Sequence, residues 1–106
     1  MTDKDAVGLL LVMMEVDPDH EEEFNRWYWE EHVPERLAVE GIKSARRYVA
    51  VEGKPKYLAL YELESADVLQ TPEYRKLYDN PTPWTLRMRK VFKPTRNVYV
   101  EIKKPE

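Results

Sequence analysis

The chain has 106 residues, enough for one domain, and its 42% hydrophobic and 35% charged residues make it globular with a thin core rather than disordered. A net charge of -3 argues against a general nucleic-acid binder, and the absence of cysteine excludes disulfides, thiolate nucleophiles, zinc–thiolate sites and iron–sulfur clusters, which suits a reducing cytoplasm. Two histidines twelve residues apart make a poor metal site, and three scattered glycines cannot form a phosphate-cradling loop.

The first element is the run AVGLLLVMMEV from Ala6 to Val16. It lacks the basic region and cleavage site of a signal peptide and is too short to span a membrane. A continuously apolar strand needs cover on both faces; helices supply one cover, and a second subunit's sheet is the simplest other. Asp17-Pro18-Asp19 then starts a helix whose acidic first turn suits the positive end of the dipole. Phe24, Trp27, Tyr28, Glu31 and His32 share one face of it. Val33-Pro34 is expected to end it near His32, with a second short turn from Pro34 to Leu37 before Gly41.

Strands are expected over residues 42–51 and 56–63, joined by the turn Glu52-Gly53-Lys54-Pro55. With an even-numbered loop, Arg46 faces Tyr61, and Ser44, Arg46, Tyr48, Tyr57 and Tyr61 share one side of the sheet; a three-residue loop mixes the two sets. Ser65 opens a short helix, Thr71-Pro72-Glu73 caps another to about Asp79, a proline-rich loop leads to a turn at Trp84, and the last strand is expected over residues 96–103. The order strand, helix, strand, strand, helix, strand is the split βαβ arrangement of a ferredoxin-like α+β domain over residues 1–106, with a four-stranded antiparallel sheet.

The segment FNRWYWEEHVPERLAVEGIKSARRY resembles the motif of the dimeric α+β barrel superfamily, and most of all its EthD-like branch. Trp27, His32, Pro34 and Gly41 occupy the matching positions, while Glu40 stands where a proline is usual; TPEYRKLYDN is similar to the superfamily's second-helix segment. The resemblance covers nearly the whole chain. It implies a homodimer of two ferredoxin-like subunits packed sheet against sheet, with a pocket between sheet and helices in each. It is less specific for reaction, because that superfamily includes monooxygenases, isomerases, cyclases, decarboxylases and proteins of no known activity. Haem degradation within it needs an axial histidine on the later helix; residues 65–91 contain none, so any activity is expected to be cofactor-free.

Within that frame His32 is the first candidate, an inward imidazole able to act as a general base and open to orientation by Glu31 or a strand tyrosine. The plainer alternative is a core histidine tied to a backbone carbonyl. Arg46 and Arg47 must point to opposite sides of their strand; Arg46 among tyrosines would stabilise an enolate-like charge, or simply stack, and Tyr48 would donate a proton or pack. Trp27, Tyr28 and Tyr61 are expected to wall the pocket and Trp84 to close its mouth. Trp29 falls off the inward stripe, and His20 lies in the acidic first turn, in solvent.

Two functions follow. One is a cofactor-independent enzyme (isomerase, cyclase, decarboxylase or monooxygenase) moving a proton with His32 on an apolar, aromatic or lactone-like metabolite. The other is a non-catalytic dimeric carrier or accessory protein in which His32 is structural. An open apolar pocket reaching His32, with its ring free on one side, favours the first; a ring with both nitrogens bonded to protein, and no cavity beside it, favours the second.

Overall fold

Each apolar run becomes a strand and each proline-capped polar run a helix. A computed structural model describes residues 6–105; the first five residues and Glu106, which the single-domain expectation over 1–106 includes, lie outside it. In chain order come β1 (Gly8–Val16), a 3₁₀ turn (Pro18–His20), α1 (Glu21–Trp27), a π-turn (Tyr28–His32), α2 (Val33–Leu37), β2 (Ile42–Val49), β3 (Tyr57–Leu63), a second 3₁₀ turn (Ala66–Gln70), α3 (Pro72–Asp79), α4 (Pro83–Met88) and β4 (Phe92–Val100). The four strands form one antiparallel sheet in the order β2-β3-β1-β4. This is the ferredoxin-like arrangement, with the apolar first strand in an interior position. No helix among the described residues is long and apolar enough to cross a membrane.

Side-chain caps set the helix starts: Asp17 accepts from the Asp19 amide, Thr71 from Tyr74 and Thr82 from Thr85. The expected break at Val33-Pro34 does not occur. Instead the Val33 amide donates to the Tyr28 carbonyl five residues back, and this wider turn leads directly into α2, whose first turn takes Pro34. Gly41 then turns the chain with φ +95, and a Cβ there would stand 2.5 Å from a Val68 methyl, so both backbone and space demand glycine.

Two strand expectations are corrected. β4 starts at Phe92, not Arg96, because it pairs with the whole of β1, from Gly8↔Val100 to Val16↔Phe92. Pro94 is tolerated there because β4 is an edge strand. The hairpin register also differs. Ile42 pairs with Leu63, but Ser44 pairs with Glu62, so Lys43 is an extra residue that reverses the alternation of β2. From there Ala45, Arg47 and Val49 lie opposite Tyr61, Ala59 and Tyr57, while Arg46 and Tyr48 lie opposite Leu60 and Leu58. Arg47 therefore shares the helix-covered face with Tyr57 and Tyr61, and Arg46 and Tyr48 are on the other face.

The core lies between helices and sheet. Phe24, Trp27 and Tyr28 of the first helical segment pack on Leu10, Met14, Tyr61 and Leu63. Phe24 is the hub of an aromatic cluster, with ring centres 5.9 Å from Trp27, 5.6 Å from Tyr28 and 5.2 Å from Phe92.

Candidate functional site

Between the inner face of the sheet and the helices lies a cavity of about 430 Å³, within the roughly 300–1,000 Å³ typical of small-molecule sites. Leu10, Val12 and Met14 of β1 form its floor, and Trp27, Tyr28 and Phe92 form its aromatic walls. The polar groups facing it are His32, Tyr61, Thr85, three arginines and two further tyrosines. Among the described residues no aspartate or glutamate lines it.

His32 ends the π-turn, which brings its imidazole against the Trp27 and Tyr28 rings, each 4.7 Å away between centres. Its Nδ1 is enclosed and has no hydrogen-bond partner, and the ring lines the cavity. Glu31 does not orient it. That carboxylate instead accepts from Trp27 Nε1 at 3.1 Å, Thr82 Oγ1 at 2.7 Å and Thr85 Oγ1 at 3.1 Å, tying the helical segment to α4. Burial, reinforced by the positive charges of Arg36, Arg89 and Arg47, holds the imidazole well below the usual histidine range. It is therefore neutral at physiological pH.

Opposite stand the hydroxyls of Tyr28 and Tyr61, 2.6 Å apart and fully buried. One proton serves their mutual bond, leaving the other to donate elsewhere. Burial pushes Tyr28 up to about 12, against the opposing effect of its bond to Tyr61, and burial also holds Tyr61 well above the usual tyrosine range. Both stay protonated donors. Beneath them Arg47 is stacked among aromatic rings, 4.3 Å from the Tyr28 centre and 5.3 Å from that of Trp29, and donates through Nη2 to Asn25 Oδ1 at 2.8 Å. Its guanidinium is held by rings and an amide rather than by an acid.

Of the residues singled out in the sequence, His32, Trp27, Tyr28 and Tyr61 converge on the cavity. Arg46 and Tyr48 do not, because the hairpin loop between Ala50 and Lys56 is odd-numbered and pairs Arg46 with Leu60 and Tyr48 with Leu58, on the opposite face. Trp84 does not line the cavity either. Its Nε1 donates to Glu23 Oε2 at 3.1 Å and Arg26 lies over its ring, so it fastens α4 to α1. Sequence reasoning missed Arg36, Tyr74, Tyr78, Arg89 and Arg96. Arg36 carried a signal, since it stands four residues beyond His32 on the same helical stripe; the others come from α3, the end of α4 and β4, with no local pattern to join them. Among the described residues there is no cluster of three metal-ligating side chains.

Comparison with known proteins agrees with this architecture. Residues 8–80 match the family described as "Domain of unknown function (DUF4286)". No curated protein matches the chain by sequence. A Bordetella bronchiseptica structure provisionally named as an antibiotic biosynthesis monooxygenase superposes with a TM-score of 0.71 at 15% identity, covering 92% of this chain and 99% of that one. SnoaB, a cofactor-independent oxygenase from Streptomyces nogalater, gives 0.64 at 10% identity over 95% of this chain and 99% of its own. An ethyl tert-butyl ether D (EthD) family protein from Bacillus halodurans gives 0.62 at 17% identity over 92% and 99%. The chain thus has the fold of the dimeric α+β barrel superfamily, including its EthD-like branch; at these identities the likeness concerns fold alone.

Proposed function

We propose that this chain, which belongs to the DUF4286 family, is a cofactor-independent enzyme that uses neutral His32 to take a proton from a small aromatic metabolite. The observation that carries the reading is the His32 ring on the wall of an aromatic cavity, with no hydrogen bond among the described residues to fix its enclosed Nδ1. A core histidine would be expected to bond its buried nitrogen to a carbonyl; no carbonyl of the described residues does so here. That arrangement favours the enzyme over a carrier.

The rest of the cavity suits the same chemistry. Removing a proton next to a carbonyl or from a phenol leaves charge on oxygen, and the Tyr28–Tyr61 pair has one hydroxyl proton left to donate to it. The apolar floor and walls keep water from competing. The carbanion or phenolate so formed is the common intermediate of isomerisation, cyclisation and direct reaction with dioxygen, whereas decarboxylation reaches its carbanion by loss of carbon dioxide and uses the imidazole only afterwards, to return a proton. The likeness in fold to a cofactor-independent oxygenase supports the last of these. We place the enzyme in the cytoplasm as a homodimer joined through the sheet face that its own helices leave bare.

The test uses 2-tetralone, an aromatic ketone with acidic benzylic hydrogens. Incorporation of solvent deuterium is followed by NMR and oxygen uptake by electrode. The wild-type protein is expected to accelerate exchange, and His32→Ala to lose about 10²-fold or more of that acceleration while keeping its circular dichroism. Equal rates for the two proteins would refute the role of His32.

A further inference from the structure

The proton-transfer chemistry leaves one group of cavity residues unused. Arg36, from α2, is only 7% exposed, makes no ion pair within 4 Å and has no hydrogen-bond acceptor among the described residues. Its guanidinium lies 5.8 Å from the centre of the Tyr74 ring. Arg96, from β4, donates through Nη2 to the Tyr74 hydroxyl at 3.2 Å. Tyr78 stacks on Tyr74 at 6.2 Å, and Arg89 lies over Tyr78 at 5.4 Å. All five side chains line the same cavity, which no carboxylate of the described residues lines.

Burying a cation without a counter-charge is costly, and proteins ordinarily pair such a group. The described residues form three ion pairs, and each joins exposed or half-exposed side chains elsewhere. In a chain of net charge -3, carboxylates are abundant, yet none of the described ones lines this cavity. Arg36 lies inside the chain's own cavity, where a flat partner surface cannot reach it. Arg89 and Arg96 are exposed, so the positive charge runs from the mouth inward to Arg36 and would draw an anion along it.

We propose that the substrate is bound as an anion, a flat aromatic carboxylate whose acid group is gripped by Arg36 with Arg89 and Arg96 at the mouth, while its ring lies against the apolar floor toward His32. The planar guanidinium fork matches a carboxylate edge-on, and the flanking phenol rings suit a flat ligand. The inference rests on the cavity's being the substrate site of the proposed enzyme, but its test is binding and requires no turnover.

Isothermal titration of the full chain at low salt compares 2-naphthoate with 2-naphthamide, which has the same shape without the charge. The acid is expected to bind at least about tenfold more tightly. Arg36→Gln is expected to bring that ratio to about one, Arg89→Gln and Arg96→Gln to lower it severalfold, and Arg75→Gln, an exposed cation on α3 that does not line the cavity, to leave it unchanged. If Arg36→Gln does not fold, the two mouth variants carry the test. Equal affinities for the two probes, failure of both to bind, or a preference that survives the arginine substitutions would overturn the inference. His32→Ala retaining the preference while losing exchange would separate ligand recognition from proton transfer; a preference without any exchange in the wild type would leave the anion site standing and the enzyme reading refuted.

Discussion

The two faces of the sheet are made by the same four strands, yet they differ in kind. The inner face presents Tyr57, Ala59, Tyr61 and Arg47 beside Leu10, Val12 and Met14, covered by helices and opening into the cavity. The outer face presents Leu9, Leu11 and Met13 beside Leu58 and Leu60, ringed by Arg46, Tyr48 and Glu62, with no helix over it. Two tyrosines and two adjacent arginines of one hairpin thus have opposite environments. Chemical character follows the face: a phenol inside is pushed up by burial and paired, whereas Tyr48 outside is 44% exposed. What separates them is the register that an odd-numbered hairpin loop imposes.

The sharpest way to break this comparison is to remove one hydroxyl from each face. Tyr61→Phe is expected to lower the turnover number in the exchange assay by about 10²-fold, the typical effect of losing one donor to a developing oxyanion, while Tyr48→Phe leaves it at the wild-type value. Similar losses in both would place the chemistry on the wrong side of the sheet.

A smaller effect concerns assembly. Leu11→Glu puts a charge in the middle of the outer face, and the dimer is expected to weaken by about tenfold or more, read as a shift toward monomer in sedimentation velocity. A wild-type protein that sediments as a monomer would show instead that the outer face is not an interface.

The smallest effect is on the pH dependence of stability. His32 is neutral in the folded protein, held well below its ordinary value of 6.5 mainly by burial. As pH falls below 6.5 the unfolded chain takes up a proton that the folded chain refuses, so stability present above 6.5 is progressively lost on acidification. Urea unfolding between pH 7 and the carboxylate range should show this loss in the wild type and less of it in His32→Asn. Arg36→Gln removes a positive neighbour, so the His32 ring protons should titrate at higher pH by NMR than in the wild type.

Much of the fold was legible locally. Asp17-Pro18, Thr71-Pro72 and Thr82-Pro83 each begin a helical segment, because a side-chain oxygen followed by proline satisfies the first turn from within a few residues. The stripe Phe24, Trp27, Tyr28 and His32 turns inward because the helical period fixes it, which is why its three cavity members, Trp27, Tyr28 and His32, could be named from the sequence. The arginines of the cavity could not. Arg36, Arg89 and Arg96 lie on three elements, and nothing in the spacing of one says where the others arrive.

The amino-acid sequence by itself determined the element order, the helix starts and the inward aromatic stripe, since each depends on interactions spanning only a few residues. Tertiary structure alone decided that Arg47 rather than Arg46 faces the helices, that the helical segment runs on through Pro34, and that three arginines meet without an acid. Those outcomes depend on which strand pairs with which and on how distant segments pack, and pairing across a sheet turns on a single residue of register.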